Sequence, residues 1–298
     1  MKILITGANG LLGQHLIQQL LIQGHQVFAI GKGLCRVHWK HTEFLSYIDV
    51  DIADQRALHT TIDKLESLDY CIHAAAITQV DLCEQDPIAC EQVNVFATRY
   101  LVTSLENKCK RFIYISTDFV FDGTALFYDE ASPTDPVNVY GKSKLAAEKI
   151  VAASNLPWSI IRTCLVFGKV ISGTRSNIIQ WVKESLEASK QISVVSDQFR
   201  TPTYISDLVS GILLIMQHDA QGIFHISGED LLTPYDMAIA TANFCGYDTQ
   251  LIQKVDASNF TQPGKRPLKT GFNIDKAKNI LGYKPLTFAQ ALEKMLGD

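Results

Sequence analysis

Met1-Lys-Ile-Leu-Ile-Thr6 is a short buried-strand pattern that runs directly into Gly7-Ala8-Asn9-Gly10-Leu11-Leu12-Gly13. An amphipathic stretch from Leu11 to Gln23 follows and stops at Gly24. Glycines at this spacing, caught between a strand and a helix, constrain the fold more than anything else in the chain. They permit a tight turn, let backbone approach a pyrophosphate, and allow the helix to pack closely on the strand. The helix start adds free amides and a partial positive charge. The pattern therefore predicts a βαβ unit that holds a dinucleotide on Gly7, Asn9, Gly10, Leu11, Leu12 and Gly13. The bland alternative is a glycine turn with no ligand.

Alternation of strand and helix continues from there. Strands are predicted at Gln26–Ile30, Tyr47–Ile52, Asp69–Ala76, 111–117 and Trp158–Arg162. Helices are predicted at Leu11–Gln23, 54–65, 86–108 and 140–153. This is the pattern of an α/β protein with a right-handed, Rossmann-type doubly wound parallel sheet. After Arg162 the spacing changes. An irregular loop, 163–173, precedes a helix from about 174 to 188, a strand Ile192–Val195, and a helix Ile205–Gln217. Gly222–Ile226 then reads as a further strand of the main sheet, with helices near 234–245, 275–281 and 287–296. The expected division is a nucleotide-binding domain, 1–162 plus about 203–230, and a smaller α/β substrate domain, about 163–202 and 231–298.

The second strand ends without the Asp or Glu that commonly binds the ribose hydroxyls of NAD. Gly31-Lys32-Gly33 and Arg36 stand there instead, which suits the 2′-phosphate of NADPH and leaves NADH as the lesser choice. Both cations could equally be solvated loop charges. Asp51 and Ile52 are placed to meet adenine, and Ala74, Ala75 and Ala76 are small enough for a flat cofactor to lie on the backbone. His73 reads as a packed residue rather than a base. Asn94 is either a pin for neighbouring backbone or a surface amide.

Tyr140 and Lys144 lie four residues apart, one turn along one helix face. A phenol is a poor acid near neutral pH, and an adjacent ammonium favours its anion. Thr117, ending the preceding strand, could hydrogen-bond the oxygen that Tyr140 protonates. Such a pair is usually mere surface; its position about 130 residues after the glycine turn gives it meaning. Tyr140, Lys144 and Thr163 complete the expected cofactor set.

The net charge of −4, with no block of Lys or Arg, argues against nucleic acid or an anionic membrane as partner. The densest apolar stretch, 211–216, is far too short to span a bilayer. With no leader pattern before the first strand, the cytoplasm is expected. Seven cysteines form no Cys-x-x-Cys pair and read as reduced thiols, with no metal site. Self-association into a homodimer is compatible with this composition.

Several stretches together resemble the extended short-chain dehydrogenase/reductase superfamily, and within it the dTDP-4-dehydrorhamnose reductase family. They are Ser116-Thr-Asp-Phe-Val-Phe-Asp-Gly123, Pro136-Val-Asn-Val-Tyr-Gly-Lys-Ser-Lys144, Arg162-Thr163, Asp197-Gln198 with Pro202-Thr203, and Arg266-Pro267. The resemblance covers essentially the whole chain. It implies reversible hydride transfer between a nicotinamide and C4 of a nucleotide-linked 4-keto sugar, with Tyr140 as general acid. Lys144 would hold the nicotinamide ribose and lower the Tyr pKa, and Thr117 would orient the substrate oxygen. Asp118, Phe119, Val120, Cys164 and Leu165 fall at substrate positions. Phe119 replaces the family's usual Tyr, and Leu165 its usual Trp. Arg200, where the family usually has a small residue, and Arg266 are the candidates for the substrate diphosphate; each could instead be a salt bridge. Two other activities stay open: an NAD-dependent epimerase on the same scaffold, and a non-catalytic subunit such as the regulatory subunit of methionine adenosyltransferase.

Overall fold

The computed structural model describes residues 1–37, 42–173 and 177–297. Seven parallel strands form the central sheet in the order Leu45–Asp49, Gln26–Gly31, Lys2–Thr6, Leu68–His73, Cys109–Thr117, Trp158–Thr163, Gly222–His225. Each neighbouring pair is parallel. The chain steps outward from Lys2–Thr6 through two strands, then returns to the other side of Lys2–Thr6. That reversal leaves a crevice at the carboxyl ends of Lys2–Thr6 and Leu68–His73, where ligands of such sheets collect.

The strands are buried on both faces, and side-chain alternation divides their residues between two cores. Ile3, Ile5, Val27, Ala29, Ile72 and Ile113 meet Leu16, Ile17 and Leu20 of the helix Leu11–Ile22 and Leu208 and Ile212 of the helix Ile205–Gln217. On the opposite face, Leu4, Phe28, Cys71, Phe112 and Tyr114 meet Leu58 and Ile62, Leu101 and Leu105, and Ala147 and Val151. Those residues come from the helices Gln55–Lys64, Ala97–Leu105 and Val139–Ala152.

Beyond the sheet, Ile192–Val195 pairs with Ile252–Val255 in parallel. The helices Ile178–Glu187 and Pro234–Cys245 cover that pair with a core of Val182, Leu186, Ala238 and Ala242. Two further two-residue pairs, Phe127–Tyr128 with Gly271–Phe272 and Val166–Phe167 with Thr203–Tyr204, were not foreseen. Strands of two residues carry no periodicity to read.

Three boundaries differ in ways that matter. The third strand ends at Asp49 and the fourth at His73, so Asp51, Ile52 and Ala74–Ala76 lie in the turns beyond. The expected helix over 86–108 is broken by five residues of π-helix, Gln92–Phe96, between Pro87–Glu91 and Ala97–Leu105. The expected start of the helix near 174 lies outside the described residues; from Ile178 the helix is present.

Candidate active site

The glycine turn sits where its sequence placed it. Gly7 has φ +77°, and a Cβ there would lie 2.8 Å from the backbone nitrogen of Ala75. A Cβ on Gly13 would lie 2.2 Å from the Gly7 carbonyl oxygen. Any larger residue would fill the crevice between the first and fourth strands. Gly10 begins the helix with no side-chain cap, so the first-turn amides at Leu11 and Leu12 have no intrahelical partner. Asn9 turns sideways: its Nδ2 donates to the Lys32 and Leu34 carbonyls at 3.2 and 3.0 Å, and its Oδ1 accepts from the Arg36 amide at 2.9 Å. Asn9 thereby shapes the 32–36 loop.

Lys32 is exposed but paired with Asp51, Nζ to Oδ2 2.7 Å. The hydrogen bond from Lys32 holds the Asp51 carboxyl below its ordinary range. Asp51, expected beside the adenine, thus stands against Lys32 and brings an acid to this corner from beyond the third strand rather than from the second. Ile52 is buried in the core, and Ala74–Ala76 are half-buried.

Thr117 ends its strand, and its Oγ1 accepts from the Phe119 amide at 3.2 Å, turning the chain into a short 3₁₀ segment, Asp118–Val120. The helix Val139–Ala152 carries Tyr140 and Lys144 inward. Gly141 allows that helix to touch the Asp118–Val120 turn, since a Cβ would fall 2.1 Å from the Phe119 carbonyl oxygen. The Phe119 ring stands edge-on to the Tyr140 ring, with centroids 6.0 Å apart. Thr117, Tyr140 and Lys144 are therefore on neighbouring elements at the carboxyl end of the sheet.

Burial pushes the Tyr140 phenol well above its ordinary pKa, with a hydrogen bond to Thr117 opposing the rise. Burial pushes Lys144 down to about 7, while the charge of Glu148 one turn on works against it. Lys144 Nζ donates to the Ile115 carbonyl at 2.7 Å and lies 4.2 Å from the centre of the Tyr114 ring. The expectation that Lys144 lowers the phenol pKa gives way to a simpler balance: desolvation dominates both groups. Glu148 itself is paired with Arg162, Nη2 to Oε2 2.7 Å and Nε to Oε1 3.0 Å, and accepts from Ser116 Oγ. That triad ties the Tyr140 helix to the ends of the fifth and sixth strands.

His73 is fully buried between Thr6 Oγ1 (2.6 Å) and Thr98 Oγ1 (2.9 Å), and burial lowers it to about 3. It is the packed residue the sequence suggested. Asn94, in the π segment, is buried and pins backbone. Its Oδ1 accepts from the Ile77 amide at 2.8 Å, and its Nδ2 donates to the Ile77 carbonyl (3.0 Å) and Ser143 Oγ (2.9 Å). A π-turn is a common device at functional sites; here it aims an amide at the Tyr140 helix.

The expected substrate residues divide. Phe119 and Leu165 reach the surface of the site, Leu165 in a left-handed conformation with φ 39°. Val120 and Cys164 are core residues with no exposed area, and Asp118 is buried, accepting from Thr270 Oγ1. Arg200 is not presented to a ligand. It is 4% exposed, its Nη1 and Nη2 donate to the carbonyls of Phe199, Leu268 and Pro267, and its Nε lies 3.5 Å from Asp118 Oδ2. Arg266 makes a two-pronged ion pair with Asp81, both distances 2.7 Å. For both arginines the salt-bridge alternative describes the contacts. Thr163 Oγ1 donates to Thr203 Oγ1 at 3.1 Å.

A cleft of about 390 Å³ opens beside Ala76, lined also by Ile77, Thr78, Gln79, Leu82, Gln85, Asp86 and Ala89. A larger hollow of about 650 Å³ lies at the amino ends of the strands, by Met1, Lys2, Asp69 and Lys110, and contains none of the residues above. Chemistry belongs with the former end, because the glycine turn and Thr117 are there. Among the described residues no group of His, Cys, Asp and Glu is placed to hold a metal. Among the described residues no helix is long and apolar enough to cross a membrane.

The chain matches the RmlD substrate binding domain family over residues 1–298. It belongs to that family. A relative, the probable low-salt glycan biosynthesis reductase Agl14 of Haloferax volcanii, is 31% identical over 99% of this chain and 98% of its own. The dTDP-4-dehydrorhamnose reductase of Mycolicibacterium smegmatis is 30% identical over 96% of this chain and 81% of its own. Among solved structures, a dTDP-4-dehydrorhamnose reductase from Clostridium acetobutylicum superposes with a TM-score of 0.86 at 27% identity, covering 99% of this chain and 98% of the other. The extended short-chain dehydrogenase/reductase fold expected for this RmlD-family chain is present throughout.

Sequence reasoning missed Asn138, Asp81, Glu84 and Glu148. Asn138 was findable as an N-cap just before an inward-facing helix. The acids were not, because their partners lie far along the chain.

Proposed function

We propose that the chain is an NAD(P)-dependent oxidoreductase that reduces the 4-keto group of a nucleotide-linked sugar, with NADPH favoured over NADH. The joint placement of Thr117, Tyr140 and Lys144 beside a glycine crevice carries this reading. The RmlD-family relatives named as reductases support it. The crevice fits a dinucleotide: Gly7 and Gly13 keep it open, and the uncapped helix start at Gly10 offers amides to a diphosphate. Lys32 would reach a 2′-phosphate, and Ala74–Ala76 would floor the site.

When bound, the nicotinamide supplies the hydride that reduces C4. The protein supplies the proton. Tyr140 keeps its hydroxyl hydrogen across the neutral range because burial disfavours the phenolate, so it is loaded as an acid for the reductive direction. Thr117, hydrogen-bonded with Tyr140, orients the same substrate oxygen. As negative charge passes to Tyr140, it draws Lys144 toward its ammonium form, and Glu148 assists. Lys144 would also hold the nicotinamide ribose. The sugar side of the pocket is formed by 163–202 and 231–298, with Phe119 and Leu165 on its wall.

The finer proposal is that the sugar is dTDP-4-dehydro-L-rhamnose. Purified protein given this compound, made in situ, should oxidise NADPH faster than NADH. Absence of turnover, together with a tight stoichiometric complex with another protein, would reassign the chain to a docking role.

A further inference from the structure

We infer that Asn138 is a positioning residue that ties the Gly264–Arg266 loop to the helix carrying Tyr140, so that sugar docking and proton-donor register are set together. This rests on the proposed reductase reading. Asn138 is 2% exposed, and both ends of its amide are engaged. Oδ1 caps the Tyr140 helix by accepting from the Gly141 amide at 2.7 Å, and Nδ2 donates to the Lys265 carbonyl at 2.8 Å. The amide satisfies both, one partner being a donor and the other an acceptor, whereas a carboxylate satisfies only the first.

The same loop is held from a second side. Asp81 accepts from both Arg266 guanidinium nitrogens and from the Gly264 amide, the last at 3.1 Å. Gly264 packs so closely that a Cβ would lie 2.5 Å from Val80 Cγ1 and 2.9 Å from Glu84 Cγ. Glu84 in turn accepts from the Val139 amide at 2.8 Å, one residue before Tyr140. The loop, the helix Val80–Gln85 and the start of the Tyr140 helix therefore form a closed ring of contacts, and Asn138 has a side chain bonded to both the loop and the Tyr140 helix. Arg266 closes the ring through its ion pair with Asp81.

Asn138→Asp separates the two duties. Asp caps a helix as well as Asn does, but it has no hydrogen to give Lys265. The variant should raise KM for the nucleotide sugar about tenfold, the scale of one hydrogen bond replaced by an unpaired acceptor. It should leave kcat within about threefold and NADPH affinity near wild type, while Tm falls because a carboxylate is buried against the Lys265 carbonyl. Asn138→Ala, lacking the cap as well, should also lower Tm and kcat. An unchanged KM in Asn138→Asp, or a KM that moves only in step with Tm and NADPH affinity, would reduce Asn138 to a structural cap. Hydrogen exchange gives a readout independent of turnover. In Asn138→Asp, exchange should quicken across 264–268 while the capped first turn of the Tyr140 helix stays protected. In Asn138→Ala both should quicken. Equal exchange over 264–268 in wild type and Asn138→Asp overturns the inference even where no nucleotide sugar is turned over, whereas silence in the turnover assay alone counts against the reductase reading.

Discussion

Tyr140 and Lys144 show how much the environment of a residue outweighs its neighbours in sequence. Four-residue spacing put the pair on one helix face, but burial, not their proximity, sets both proton affinities. Lys144 has a measurable consequence. Its pKa is about 7 in the fold against 10.5 when free, so between those values the unfolded chain binds the extra proton and stability rises with pH. The penalty is fully present below about pH 7 and shrinks above it. Lys144→Met should therefore be more stable than the ligand-free wild type at pH 6.5, and the gap in Tm should narrow by pH 8.5. Tyr140→Phe should cut turnover by about 10²-fold or more while NADPH affinity holds, because a proton donor and not a phosphate contact is removed. At the cofactor corner, Lys32→Ala would leave Asp51 without its cation. NADPH binding should weaken about tenfold by titration and NADH far less, since charge-assisted contact to a phosphate is exchanged for a bare carboxylate. Equal losses would make Lys32 a solvated loop charge.

The Tyr140 helix is the element on which the site depends. It is capped by Asn138, pressed against the Asp118–Val120 turn at Gly141, and fastened to the sheet by Glu148. Gly141→Ala should displace that turn, because the added methyl meets backbone that cannot swing aside, and turnover should fall with a loss of stability. Glu148→Gln would leave the Arg162 guanidinium buried with no counter-charge. Breaking a buried pair in this way costs about 3–5 kcal/mol, measurable by denaturant unfolding. Periodicity made this helix legible from Tyr140 to Ala153, and it gave the helices at 205–217 and 234–245 as well. It did not give the π interruption at Gln92–Phe96, because the residues there keep a helical pattern and the feature that sets the segment apart, the Asn94 side chain bonded to the Ile77 backbone, joins residues distant in sequence. The same limit hid Glu148: on the sequence it is one more polar helical residue, and only the parallel pairing of Ser116 with Arg162 brings its partners under it.

At the scale of the molecule, the sheet was readable because strand, glycine turn and helix each obey a local rule and the rules agree. The positions of the residues expected to meet the cofactor were readable for the same reason: Gly7 to Gly13, Ala74 to Ala76 and Thr117 all stand at strand ends. The contacts of the two arginines were not. Arg200 and Arg266 are, by resemblance, candidates for a diphosphate or for a salt bridge, and the structure holds each by groups distant in sequence, Asp118 and Asp81. Side-chain chemistry names what an arginine can bind; only the fold says what has bound it already.

The stretch from Gly264 to Thr270 touches the site almost entirely through partners made much earlier in the chain. Asp81 lies 185 residues before Arg266, Asn138 lies 127 before Lys265, and Asp118 lies 152 before Thr270. Ribosomes deliver chain at about 5–20 residues per second. Glycine turn, Thr117, Tyr140 and Lys144 thus emerge several seconds ahead of the stretch that is bonded to their helix and turn. A nascent chain halted before Gly264 has the glycine turn, Thr117, Tyr140 and Lys144, but lacks the bonds to Asp81, Asn138 and Asp118 that close this end of the fold. The stretch made late fastens what the chain laid down early.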